Sequence, residues 1–306
     1  MSSEKFRPSY LLPKFWLSWL VVALSWALAR LPLRWQRSLS RWLGRKLANT
    51  NNSRIRIIRR NIDLCFPEES HESKQTLVER NLESSLRMTF DLLNLIWRPP
   101  EVLTDPVRVV GEEHLKQALS MNKPLILVTG HFTTLFSYIG KLASINPFDA
   151  VYRRLDNPLL EAHLYQRGIA KYPINTFHRK DIRDMLVKLE DKGVVAIVPD
   201  QDFGLKRGEF VSFFDIPTAT ITSIPQYAQQ TGAQVLLLSA YREGNNCVLE
   251  IEPLLENYPS GDDLADTQIW SDWLERKIRE HPADYLWMHK RFKTRPEGHA
   301  SFYKNI

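Results

Sequence analysis

Between residues 107 and 280 the sequence repeats one pattern, a short apolar run followed by a segment whose apolar residues recur at three- and four-residue steps. The runs at 107–110, 124–129, 149–152, 194–198, 235–239 and 247–251 read as strands. The stretches 113–121, the residues after His131, 157–168, 180–192 and 267–280 read as helices. Such alternation predicts an α/β fold, a largely parallel or mixed sheet flanked by helices. Upstream, residues 73–97 contain neither Gly nor Pro and carry helical spacing, so they predict one long helix closed by Pro99 and Pro100. A chain of 306 residues has room for one large domain or two small ones.

The N-terminal end has a different character. Five of the nine tryptophans (Trp16, Trp19, Trp26, Trp35 and Trp42) fall in its first stretch, and residues 15–29, FWLSWLVVALSWALA, are apolar apart from two serines. As a helix this segment spans about 22 Å against a hydrocarbon core of about 30 Å, so crossing requires Lys14 and Arg30 to snorkel and residues 31–33 to join. No small-residue cleavage site follows it, which favours a retained anchor over a secretory signal. Behind it come Arg30, Arg34, Arg37, Arg41, Arg45, Lys46, Arg54, Arg56, Arg59 and Arg60, which by the positive-inside rule puts the body on the cytoplasmic face. Trp35, Leu39, Trp42 and Leu43 recur at helical spacing among these arginines, as in a helix lying on anionic lipid headgroups. The expected organisation is therefore an anchor at 1–35 and an α/β body at 36–306, of which 36–100 is helical and close to the membrane.

Charge and cysteine content narrow the function classes. There are 41 Lys and Arg against 35 Asp and Glu, a formal net charge of +6, which suits an anionic partner. The apolar anchor beside the arginines points to inner-membrane lipids and a phosphorylated lipid, with an acidic carrier protein also compatible, and away from nucleic acid. Cys65 and Cys247 lack CxxC or Cys/His spacing, which argues against a disulfide scaffold or a metal site.

In open α/β sheets the reactive groups collect beyond the carboxyl ends of the strands. His131 directly follows the run LILVTG, and Asp200 and Asp202 follow the strand in VVAIVPDQDFG. Histidine is the usual group to take a proton from an alcohol attacking an activated acyl group, and it works best when a carboxylate fixes its tautomer. The bland alternatives are a capping histidine and turn-forming aspartates. Gly130 is expected to allow close backbone approach, and the amides of the helix start after His131 to stabilise an oxyanion. Arg153 and Arg154, before the turn at Asn157 and Pro158, suit an anion. His289, Lys290, Arg291, Lys293 and Arg295 surround Trp287 and Phe292, either as a functional basic cluster or as a solvated face.

The stretches NIDLCFPEES, VTGHFTTL, YRRLDNPLLE, RKDIRDML, VPDQDFG, TATITS and HKRFKTRPEG, in this order behind a hydrophobic helix, resemble the late lipid A acyltransferases of Gram-negative bacteria over nearly the whole chain. The resemblance implies an inner-membrane enzyme on the cytoplasmic face. Such an enzyme moves a fatty acyl chain from acyl carrier protein to a hydroxyl of a phosphorylated glycolipid acceptor, the lipid A precursor. No cofactor is called for, since the thioester is already activated. The family's motif is a histidine, four residues, then an acid. His131 matches the histidine, but Phe136 stands where the acid belongs, and its ring is a candidate wall of the acyl groove. The implied catalytic pair is then His131 with Asp200, or less readily Asp202, reaching across from the neighbouring strand end. Gly130, Phe136, Arg153, Arg154, Asn157, Arg179 and Asp202 are the candidate substrate contacts. Two other readings stay open: a silent lipid-binding or assembly paralogue, and an acyl or aminoacyl transferase acting on a different membrane lipid.

Overall fold

A computed structural model of the chain describes residues 7–178, 180–304 and 306. Its first part is helical, with α1 (Trp16–Arg30), α2 (Leu33–Ala48), α3 (Ser53–Cys65) and α4 (His71–Trp97) in succession. Local signals set these boundaries. Pro32 separates α1 from α2, the Asn52 side chain caps α3 by accepting from the Ile55 amide, and Ser70 caps α4 by accepting from the Ser73 amide. The chain then enters the sheet through α5 (Glu101–Thr104), β1 (Val107–Val110), α6 (Glu112–Ser120), β2 (Leu125–Thr129), α7 (Leu135–Ile145) and β3 (Phe148–Tyr152). It continues through α8 (Pro158–Leu160), α9 (Arg167–Ile169), β4 (Ile174–His178), α10 (Ile182–Glu190) and β5 (Val194–Ile197). The last elements are the hairpin β6 (Gly208–Phe213) and β7 (Ile216–Ile221), then α11 (Ser223–Thr231), β8 (Gln234–Glu243), β9 (Asn246–Ile251) and α12 (Asp263–Glu280).

Seven strands form one mixed sheet in the order β1-β9-β8-β2-β5-β3-β4. β8, β2, β5, β3 and β4 run parallel; β9 turns back antiparallel on β8 and carries β1 parallel to itself. β2 lies at the centre, with β5 on one side and β8 on the other, so the carboxyl ends of β2 and β5 are neighbours. Every residue of β2 is buried, and the two-residue strand period divides them between two cores. Ile126 and Val128 join Val195, Val235, Leu237 and side chains of α3, α10, α11 and α12 on one face. Leu125 and Leu127 join Leu236, Leu238 and side chains of α6 and α7 on the other.

The strands expected from sequence are present, and the structure adds α5, β4, the β6–β7 hairpin and α11. The hairpin turns through Phe214 and Asp215, both at positive φ (53° and 58°), where Gly or Asn is the usual signal. Pro225 sits in the first turn of α11, where a proline breaks no hydrogen bond. β8 runs four residues beyond the expected end, which carries Arg242 past the end of β2 while it stays paired with Cys247 of β9.

The N-terminal region departs from a single anchor helix. Among the described residues no one helix is long and apolar enough to cross a bilayer, and α1 and α2 meet at a bend of 112°. The bend is fixed from within. Gln36 Nε2 donates to the Leu31 carbonyl at 3.0 Å and to Asn94 Oδ1 at 3.2 Å, and Arg98 Nε donates to the Ala29 carbonyl at 2.6 Å. Ser18, Val22, Ser25 and Ala29 line the buried face of α1, and Gln36, Ser40, Gly44 and Ala48 that of α2. These mostly small side chains let both helices approach α4 closely. The opposite side leaves Trp16, Leu17, Leu20, Leu24, Trp26, Trp35 and Trp42 exposed.

At Gly44 a Cβ would come within 2.9 Å of the Glu83 backbone nitrogen, so no side chain fits between α2 and α4. Gly44→Leu is expected to destabilise the protein by about 1–3 kcal/mol through overpacking. The drop would appear as a lower midpoint in denaturant unfolding of the detergent-solubilised chain.

Candidate active site

β2 ends at Thr129 and α7 does not begin until Leu135, so residues 130–134 form a loop over the carboxyl edge of the sheet. Asp200, three residues past β5, lies beneath this loop and is 1% exposed. Its Oδ1 accepts the His131 Nδ1–H, and its Oδ2 accepts the His131 backbone N–H at 2.9 Å and the Tyr285 hydroxyl at 2.9 Å. One carboxylate therefore holds the histidine by both ring and main chain. Donation from Nδ1 leaves the lone pair on Nε2, and the His131 side chain remains 27% exposed. The Gln201 side-chain amide sits 3.2 Å from Nε2, with its N–H directed at that lone pair.

Burial would lower the pKa of His131, but the charge and hydrogen bond of Asp200 outweigh it and hold the imidazole above its usual value. Burial would likewise raise the Asp200 carboxyl. The cationic form of His131, its ring and backbone donors and the nearby Arg291 guanidinium instead hold it well below the usual carboxylate range.

The segment 283–294 completes the site from the other side. Thr133 N–H donates to the Asp284 carbonyl at 2.7 Å, and Leu286 N–H to the His131 carbonyl at 3.0 Å, so this segment runs antiparallel beside the histidine loop. Two buried helical asparagines hold it in place: Asn81 Nδ2 donates to the Ala283 and Tyr285 carbonyls, and Asn61 Nδ2 to those of Trp287 and His289. A buried polar cluster pins the next loop residue. Arg242 Nη2 donates to the Thr133 carbonyl and to Asp91, each at 2.9 Å, and the Arg242 backbone N–H donates to Asp284 Oδ2 at 2.8 Å.

These contacts assign places to the sequence candidates. Asp202 does not reach His131; it accepts from the Thr294 amide and hydroxyl and from the Gly204 amide, and so latches the C-terminal loop to the turn after β5. The space a Gly130 Cβ would need is filled by Leu274 of α12 at 2.6 Å, so its bareness serves helix packing. Asn157 caps α8 through the Leu159 and Leu160 amides and donates to Ser18 of α1. Arg153 is exposed beyond β3 and paired with Asp156 at 3.3 Å, and Arg154 is exposed beside it. Arg179 lies outside the described residues. Phe136, in the first turn of α7, is half-buried and packs against the core that contains Leu125 and Leu127.

One expectation needs correction, and one open alternative is resolved. The amides following His131 are already spent, Phe132 on the Gly130 carbonyl and Thr133 on that of Asp284, because the loop folds on itself before α7 starts. The nearest side-chain donor facing Nε2 is Gln201. The basic C-terminal stretch 289–295, by sequence either a functional cluster or a solvated face, is exposed only at Lys293. Arg291 is 2% exposed and donates to the Ala219 carbonyl and the Thr220 hydroxyl, Lys290 donates to the Ile306 carbonyl, and burial pushes His289 down to about 4. Sequence reading missed Gln201, Tyr285, Arg242 and the two asparagines. The available signal was polar residues at apolar-phase positions of helices, Asn61 in RRNIDLC and Asn81 in ERNLESS.

Residues 3–294 match the family described as bacterial lipid A biosynthesis acyltransferase, and the chain belongs to that family. It is 32% identical over 304 residues to the lipid A biosynthesis lauroyltransferase of Escherichia coli K12, covering 98% of both chains. To the palmitoleoyltransferase of the same organism it is 30% identical over 306 residues, again at 98% of both chains. It is 24% identical to the myristoyltransferase, covering 98% of this chain and 94% of that one.

The His131–Asp200 bond sets the ring's titration. Nuclear magnetic resonance of labelled histidine is expected to place the His131 pKa above 6.5 in the native protein. In Asp200→Asn it falls, because the burial penalty persists while the carboxylate is gone.

Proposed function

We propose that this acyltransferase of lipid A biosynthesis moves a fatty acyl group from acyl carrier protein to a hydroxyl of a phosphorylated glycolipid acceptor, with His131 as general base and Asp200 as its orienting acid. The observation that carries this reading is the buried carboxylate on His131 Nδ1, with the ring part-exposed and Nε2 facing only the side-chain amide of Gln201. Asp200 takes up the part that the acid of the His-x4-Asp/Glu motif would play, from a different strand end.

In this mechanism the acceptor hydroxyl displaces Gln201 from Nε2 and attacks the thioester carbonyl while His131 removes its proton. The carbon–oxygen bond forms, the tetrahedral intermediate collapses with cleavage of the carbon–sulfur bond, and the imidazolium returns the proton to the departing thiolate. Asp200 stabilises the transient imidazolium without itself being protonated, in line with its depressed pKa. The displaced Gln201 amide is a donor within reach of the developing oxyanion. Phe136 and the apolar side of α7 supply surface to the acyl chain. The exposed Arg153 and Arg154 stand on the same rim to meet an anionic group, and the net positive charge suits an acidic carrier protein.

The bent pair α1–α2 serves as an interfacial anchor, lying along the bilayer with its exposed tryptophans and leucines in the headgroup region. The body then faces the cytoplasmic side of the inner membrane, as the basic flank favours. Changing Leu17, Leu20 and Leu24 together to Gln is expected to shift the protein from the membrane to the soluble fraction. Retention in the membrane pellet would overturn the interfacial assignment.

Transfer from a carrier-protein thioester to a lipid A precursor, followed by mass spectrometry, tests the chemistry. His131→Ala is expected to abolish it, and Asp200→Asn to lower it by about 100- to 10,000-fold, the range for losing an orienting carboxylate. The acidic limb of the kcat/KM profile should lie above pH 6.5, since the neutral imidazole is the active form, and should move down in Asp200→Asn. Phe136→Glu should give no gain, because Nδ1 is already bonded to Asp200, and should cost about 1–3 kcal/mol of stability as a charge enters an apolar wall. Full transfer by Asp200→Asn, or a large gain in Phe136→Glu, would overturn the assignment of Asp200.

A further inference from the structure

A cavity of about 50 Å³ opens between α2, α4 and the turn joining β8 to β9, lined by Arg37, Arg87, Arg242, Asp91 and Asn245 among others. It lies outside the His131 contacts but joins them, since Arg242 also donates to the Thr133 carbonyl. The charges around it do not balance. Arg242 is answered by Asp91 at 2.9 Å and Asp284 at 4.0 Å. Among the described residues neither Arg37 nor Arg87 has a carboxylate within ion-pair distance. Arg87 donates only to the Gly244 carbonyl at 3.2 Å, and Glu83, one turn earlier on α4, is paired with Arg41 at 3.6 Å. The polar groups at the back are occupied, Gln36 and Asn94 bonding each other. Two guanidinium groups without a carboxylate partner therefore share one small, partly enclosed space, and with Arg242 set against Asp91 and Asp284 the five groups carry a net single positive charge. Burial and the neighbouring Arg242 push the Arg87 guanidinium down to about 10, as expected of crowded cations awaiting a counter-charge.

We propose that this pocket binds the phosphate monoester of a lipid headgroup through Arg37 and Arg87. Guanidinium groups bind phosphate oxygens bidentately, and a terminal monoester offers three free oxygens to the two guanidinium forks where a diester offers two. The volume holds the equivalent of a few waters, which fits a tetrahedral oxyanion. The wall formed by α2 belongs to the helix pair assigned above to the bilayer surface, which puts the pocket next to lipid headgroups. Resting on the transfer reading above, the bound lipid is the acceptor, held by its phosphate on the rim that bears His131.

Binding is measured apart from transfer. Inorganic phosphate, added to the full chain in detergent, should raise the thermal midpoint by about 3 °C at tenfold its dissociation constant. Arg37→Gln/Arg87→Gln should lose that shift while starting from a midpoint no lower than the parent, whereas residues that merely hold the fold would lower it. In flotation, phosphatidylcholine vesicles carrying phosphatidic acid should capture the parent several-fold better than vesicles of equal surface charge carrying phosphatidylglycerol. The double variant should show no such preference. Arg34→Gln/Arg45→Gln, on the exposed side of α2, should weaken capture by both without changing the preference. In transfer assays the Arg37/Arg87 variant should raise KM for the acceptor about tenfold with kcat retained. Absence of a monoester preference in the parent, its persistence in the double variant, or a response to free phosphate alone would overturn the proposal. Absence of transfer with the vesicle preference intact would instead overturn the acyl-transfer reading and leave the pocket standing.

Discussion

The carboxylate of Asp200 is the contact on which the site depends. At 1% exposure it would be costly to leave it charged, yet three donors and a nearby guanidinium keep it ionised. By accepting both the ring and the main chain of His131 it sets where the histidine lies as well as which nitrogen carries the proton. Tyr285 uses the second lone pair of Oδ2, which ties the C-terminal segment to the same atom. Sheet topology makes this possible, because only adjacent carboxyl ends such as those of β2 and β5 bring a loop and a carboxylate from distant parts of the chain into register.

Around that contact the protein is organised as a set of clamps on irregular backbone. Residues 130–134 and 283–294 have little regular structure of their own, and each would lose its geometry in isolation. Asn61, Asn81, Arg242 and Asp202 supply the partners that a sheet or helix would otherwise give them. The helical N-terminal region is part of the same construction, since α3 and α4 contribute the asparagines and α4 packs α1 and α2 against the body.

Much of the architecture was legible in the sequence. Continuous apolar runs marked β2, β5, β8 and β9, and the absence of Gly and Pro marked α4. The pairing of His131 with Asp200 was legible as one of several options, because the strand-end rule names both residues but strand order decides whether they meet. What escaped had physical reasons. The β6–β7 turn uses Phe214 and Asp215 in a conformation normally flagged by glycine. The α1–α2 bend depends on Gln36 and Arg98 bonding to carbonyls, and such bonds leave no trace in hydropathy. Gly130 was expected to allow close backbone approach, whereas the space is taken by Leu274, 144 residues further along the chain. Asp202 reads as a twin of Asp200, but the two-residue offset points it at Thr294.

Because residues 283–294 clamp the histidine loop, the order of synthesis bears on when the machinery exists. A nascent chain that has already delivered its N-terminal helices and every strand of the sheet still lacks Tyr285 on Asp200 and the main-chain partners of residues 131 and 133. In order of synthesis the N-terminal helices and the sheet thus precede the completed reactive centre. A product terminated before residue 283 holds its imidazole without the backing of Tyr285 and of the main-chain partners at 284 and 286.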